Sequence, residues 1–245
     1  MKFPSLSLIL SGLLALGVAG PASAASDVAV GKLLLEETFP NDSNGRANLC
    51  VGDLGWRAYG GAHGEELSFA TGPALQSVLV SAGKGSPSQE NGFLAFLLAR
   101  DRPSFPEYAV VRTGIEIADP GVFEWRMNCA VNGTFRVRVL VQVEGRWYAS
   151  DVSDTNREYF EPATQGSSAD FASAYPETLT KQLVFNRDAL DWRVFVLEPG
   201  GEMKLGDTSP RDLPEAPITG IGFHVMGGNT GRIDTLRVHA RAAAR

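Results

Sequence analysis

The stretch Ile218 to His239, ITGIGFHVMGGNTGRIDTLRVH, decides how this chain folds. Two alternating apolar runs flank a Gly-Gly-Asn-Thr-Gly turn, a pattern that predicts a β-hairpin. Ile221, Phe223 and Val225 share one face of the first run; Ile233, Leu236 and Val238 supply the second, with one break in alternation near Asp234. A hairpin alone is marginally stable in water, so its apolar face must lie on a sheet built by the preceding strands.

Those strands are readable upstream. Lys32 to Phe39 is the first candidate, ending at Pro40, with a polar loop from Asn41 to Asn48 after it. Trp56 to Tyr59, Ala74 to Ser81, Phe93 to Leu98, Tyr108 to Ile117, Val122 to Asn128, Thr134 to Val143, Arg146 to Ser150, Lys181 to Asn186 and Leu190 to Leu197 follow, each bounded by Gly, Pro, Asn or Asp. Phe93 to Leu98 also fits a short buried helical segment, and its length and glycine-led entry favour the strand. Many short strands with no amphipathic helix between them predict an all-β, two-sheet antiparallel sandwich. Glu161 to Thr180, rich in Ser and Ala and without periodicity, reads as a lid or a plain connection.

Met1 to Ala24 has one lysine, an apolar run from Leu6 to Val18 and an Ala-Ser-Ala end, the three parts of an export signal. The run is shorter than the roughly 20 residues a bilayer span needs, which favours cleavage over anchoring. Residues 25–245 are then expected to form one domain, secreted or periplasmic, with no membrane span after signal removal. The chain holds 22 Lys and Arg against 28 Asp and Glu, a net charge of −6, and the signal contributes only Lys2. An acidic chain without a basic patch argues against nucleic acid as a partner. Cys50 and Cys129 are the only cysteines, and an even pair in an exported chain is expected to form a disulfide.

Thr134 to Val143, TFRVRVLVQV, is the clearest strand. Phe135, Val137, Val139, Val141 and Val143 fall on one face, and Arg136, Arg138, Leu140 and Gln142 on the other. The second face reads either as a polar surface that binds an acidic or hydroxylated polymer through Arg136, Arg138 and Gln142, or as a solvated face with cross-strand ion pairs. Glu124 and Arg126, on the preceding strand, are expected beside it. Trp125 and Trp192 are in phase with apolar neighbours and read as core. Trp56, Tyr59 and Trp147 sit beside Gly-rich turns, where aromatic rings either stack on sugar faces or plug the ends of the sandwich. His63, His224 and His239 show no metal-ligand spacing; His224 points away from Phe223 and Val225, toward the arginine strand.

The run DWRVFVLEPGGEMKLGD from Asp191, followed by LPEAPITGIGFHVMGGNTGRIDTLRV from Leu213, resembles the closing strands of the concanavalin A-like jelly-roll superfamily of lectin, laminin-G-like and polysaccharide-active sandwiches. LLLEETF, from Leu33, is similar to the opening strand of such domains. The resemblance implies a jelly-roll sandwich and a carbohydrate-linked role. Two catalytic branches do not fit: the paired carboxylates of the glucanase-like strand are missing, as are the His and the Tyr/Lys strand of the alginate-lyase-like branch. In such sandwiches the first and last strands lie side by side, which makes Glu37 and Asp234, with Asp42 as an auxiliary, candidate ligands of a structural calcium ion; the alternative is a solvated Glu37 and an Asp234 that hydrogen-bonds the hairpin.

The leading expectation is therefore an exported, non-catalytic domain that binds an extracellular polysaccharide or glycan. A polysaccharide lyase, with His224 or Tyr148 as base and Arg138 as charge neutraliser of a β-elimination, or a glycoside hydrolase on the same scaffold is the alternative. A structural cell-envelope protein is the third.

Overall fold

The computed structural model describes residues 30–39, 49–66, 78–82, 92–96, 107–129, 136–151, 154–155, 179–188, 192–206, 212–226 and 231–242. The expected export signal, the Asn41 to Asn48 loop with Asp42, most of the Glu161 to Thr180 connection and the Gly-Gly-Asn-Thr segment of the last turn lie outside the described residues.

The strands form two antiparallel sheets. A seven-stranded sheet runs β12 (Leu179–Val184), β8 (Pro120–Cys129), β16 (Gly231–Arg241), β6 (Gly92–Phe96), β5 (Val78–Ala82) and β2 (Leu49–Cys50), with β1 (Val30–Glu37) sharing the β6 side of β16. A nine-stranded sheet runs β14 (Glu202–Leu205), β13 (Trp192–Glu198), β10 (Arg146–Ser150), β9 (Arg136–Val143), β15 (Ile218–Met226), β7 (Glu107–Ile117), β3 (Arg57–Gly60) and β4 (Glu65–Glu66), with β11 (Asp154–Thr155) continuing the β10 side of β9. The all-β sandwich expected from the sequence is the fold observed.

The core fills the space between the sheets. Val137, Val139, Val141 and Val143 of β9 and Ile221, Phe223 and Val225 of β15 meet Phe123, Trp125 and Met127 of β8 and Ile233, Leu236 and Val238 of β16, all buried. Alternation along each strand places these residues on one face, where burial of apolar area drives the packing.

The closing stretch is not a hairpin. β15 pairs with β7 and β9 in the nine-stranded sheet, whereas β16 pairs with β8, β6 and β1 in the other, so the chain arches from one sheet to the opposite one. Both runs still point their apolar residues at one core, which is why alternation alone reads identically for a hairpin and an arch. The break near Asp234 is a bulge: the β16–β8 register slips between Asp234 and Arg237, and Thr235 has a positive φ of 45°.

Strand order also corrects two neighbourhoods. Glu124 and Arg126 lie on β8, in the sheet opposite Arg136 and Arg138, and Glu124 instead faces Arg237 and Gln182. Cys50 on β2 and Cys129 on β8 have β5, β6 and β16 between them. Four interstrand spacings put their backbones about 19 Å apart, far beyond the roughly 7 Å that a disulfide spans. The expected Cys50–Cys129 bridge is incompatible with this order.

Candidate functional site

The nine-stranded sheet carries a second buried apolar layer on the face turned away from the core: Tyr59, Ala109, Val111, Leu140, Trp147, Ala149, Phe195 and Met203. An open sheet would expose such a face. It is covered because the sheet curls until its two margins meet. Met203 N donates to Ala62 O at 2.8 Å and Gly200 N to Gly64 O at 3.2 Å, tying the β13–β14 hairpin to the turn between β3 and β4. Gly64 makes that approach possible: it has φ +56°, and a Cβ there would sit 3.1 Å from the Glu198 carbonyl oxygen.

Beside this seam is a cavity of about 200 Å³ lined by Gly55, Arg57, Tyr59, Val111, Thr113, Trp147, Leu197 and Pro199. Its walls come from both sheet margins, β3 on one side and the end of β13 on the other, although four strands separate them in the sheet. Glycines of β15 make room for the neighbouring side chains and backbone. A Cβ on Gly220 would come within 2.8 Å of Trp147 Cη2, so the indole lies close over bare β15 backbone. A Cβ on Gly222 would fall 2.2 Å from Val110 O, which excludes any side chain there.

Arg57 and Tyr59 form the polar side of the cavity. The Tyr59 phenol, hydrogen-bonded to the guanidinium, raises Arg57 above the ordinary arginine value, and Glu66 lies 3.9 Å from it. Burial raises the Tyr59 phenol above its usual range, against the hydrogen bond from Arg57, so it stays a neutral hydroxyl at physiological pH.

The remaining residues expected to bind ligand are distributed elsewhere. Trp56 is core, 1% exposed, packed on Phe39 with ring centroids 5.5 Å apart. Arg136 is exposed at the start of β9. Arg138 is half-buried and donates to the carbonyls of Ser150 and Asp151; burial lowers its pKa, Asp151 opposing the shift and Arg193 and Arg136 adding to it. Gln142 accepts from Thr219 Oγ1 at 3.2 Å. His224 does lie beside the arginine strand, opposite Arg138 in the β15–β9 register, and its Nε2 donates to Glu107 Oε2 at 2.9 Å. Tyr148 is in the core, on the face opposite His224 and Arg138.

Glu37 is buried and hydrogen-bonded rather than solvated. Its Oε1 accepts Phe39 N at 2.9 Å, and its Oε2 accepts Trp56 Nε1 at 3.0 Å and Arg112 Nη1 at 2.9 Å. The positive charge at this carboxylate is therefore a guanidinium. In the strand register the Asp234 backbone lies opposite Arg126 of β8, and the Glu37 backbone opposite Leu236 on the other side of β16.

Of the residues singled out from the sequence, Tyr59 and Trp147 come together at the cavity, whereas Arg57, Thr113, Leu197 and Pro199 were missed. The available signal was the glycine run Gly60-Gly61-Ala62-His63-Gly64, which permits the close backbone approach that brings the margins together.

No protein-family model matches the chain, and no curated protein matches it. Solved structures do. A xylan-binding domain is 12% identical with a TM-score of 0.34, covering 87% of this chain and 98% of that one. A non-crystalline cellulose specific carbohydrate-binding module is 10% identical with a TM-score of 0.39, covering 87% and 98%. Laminarinase from Flavobacterium sp. UMI-01 is 15% identical with a TM-score of 0.37, covering 85% and 100%.

Proposed function

We propose that the protein is an exported, non-catalytic domain that binds a sugar ring of an extracellular glycan in the cavity between Tyr59 and Trp147. The observation that carries this reading is the composition of the cavity. It joins the Tyr59 and Trp147 rings to the Arg57 guanidinium and the Tyr59 and Thr113 hydroxyls in about 200 Å³. A pyranose presents apolar C–H faces and a rim of hydroxyls, and rings with a few fixed polar groups match both. Among the described residues the lining offers binding groups and not the pair of flanking carboxylates typical of glycosidic hydrolysis.

The test is calorimetric titration of the chain without residues 1–24 against xylo-, cello- and laminari-oligosaccharides, with analysis of ligand length afterwards. Binding of intact sugar is expected, and Trp147→Ala should weaken it at least about 30-fold, the scale of a buried aromatic anchor worth about 2 kcal/mol. Shortened sugar would replace this reading with a hydrolase or lyase. Absence of binding would remove it.

A further inference from the structure

The curl of the nine-stranded sheet bears on what kind of sugar can enter. From the Met203–Ala62 and Gly200–Gly64 hydrogen bonds, the packed layer under them and the size of the cavity, we infer that the site takes the terminal ring of a glycan chain and not an internal stretch of polymer. This inference rests on the sugar-binding reading above and narrows it.

A polymer bound along its length needs a groove open at both ends. Here the two margins of the sheet are joined, and the face beneath the joint is filled with side chains. Leu140, Ala149 and Met203 have no exposed surface, and Phe195 is 2% exposed. A chain advancing across the strands would meet Leu197 and Pro199 on one wall and Arg57 and Tyr59 on the other, with the seam beyond. The free volume of about 200 Å³ is below the roughly 300–1,000 Å³ of pockets for drug-sized ligands and suits one ring. At the last ring of a chain, one hydroxyl more is free than at any internal ring. Arg57, Tyr59 and Thr113 are the polar groups placed to meet it.

The comparison of length and chain ends is made on the wild-type protein. Oligosaccharides of two to six rings from the best-binding series are titrated first, then the parent polysaccharide before and after partial acid hydrolysis at constant mass. Terminal-ring recognition predicts affinities within about twofold across the lengths, well under the 1.4 kcal/mol of a tenfold change, and a site number per mass of polysaccharide that rises in proportion to chain ends. An affinity that climbs about tenfold or more with length, with site number unchanged by hydrolysis, would overturn terminal recognition and leave sugar binding standing. Binding to none of the series, or binding that Trp147→Ala leaves unaltered while circular dichroism shows a folded protein, would overturn both.

Discussion

At the scale of single residues, Glu37 shows how a carboxylate that looks like a surface group becomes structural. Its oxygens accept from a backbone amide, an indole and a guanidinium, and it is 7% exposed. Glu37→Ala leaves the Trp56 Nε1 and the Phe39 amide without an acceptor. Leaving the two buried donors unpaired costs about 3 kcal/mol, while Arg112, whose side chain is 37% exposed, turns to water; for a domain of this size that lowers Tm by about 6–12 °C. Thermal melts of the variant check this. The same melts on the wild type with added calcium or a chelator should superimpose, because Arg112 already neutralises Glu37. Tyr59 gives a second outcome. Its phenol is raised by burial above the usual value near 10, so the folded state holds this proton more tightly than the unfolded chain. The stability from this group is complete below the unfolded value and is lost as pH rises through the higher folded one. Tyr59→Phe should therefore flatten the alkaline limb of a Tm-against-pH curve, and the phenolate absorbance of the folded wild type should show one late-titrating tyrosine that the variant lacks.

At the scale of elements, β15 is the strand whose bare backbone lies beside the Trp147 ring. Gly222 faces the second layer between Val111 of β7 and Leu140 of β9, and a methyl there would meet the Val110 carbonyl, which is backbone and has nowhere to go. Gly222→Ala should cost about 3 kcal/mol, the upper part of the usual overpacking range. Gly220→Ala meets the tip of the Trp147 ring at 2.8 Å and, less closely, the Arg112 carbonyl oxygen and Gln142 Cβ at 3.1 Å, so it should shift tryptophan emission and lower Tm by less than Gly222→Ala. Circular dichroism melts and fluorescence spectra of the two variants separate the cases. The same strand shows what was legible in the sequence. Alternation correctly assigned Ile221, Phe223 and Val225 to the core, as it did Val137 to Val143, and the break near Asp234 marked a real bulge. Which sheet β16 joins was not legible, because a hairpin and an arch bury the same residues; the choice is made by pairing with β8, far away in sequence. For the site, Tyr59 and Trp147 were readable as ring-bearing residues near turns. Trp56, equally close to a turn, is drawn into the core by Glu37, and Leu197 reaches the cavity only through the curl of the whole sheet.

At the scale of the whole molecule, the order of strands fixes which distant residues can meet, and the cysteines test it. Exported chains with two cysteines usually bridge them, and a bridge here would require Cys50 and Cys129 on adjacent strands or facing each other across the sandwich. The sheet places both in one layer with three strands between them, and neither twist nor side-chain choice closes a gap of about 19 Å. The protein should therefore carry two alkylatable thiols when unfolded under non-reducing conditions, counted by mass after labelling, and its Tm should be unchanged by reductant. A single closed bridge would mean that β2 is paired elsewhere. In that case the β2–β5–β6 margin of the seven-stranded sheet would have to be redrawn, while β14 through β4, which form the cavity and its seam, belong to the other sheet and would keep their order. The thiol count thus tests one sheet independently of the sugar titrations that test the other.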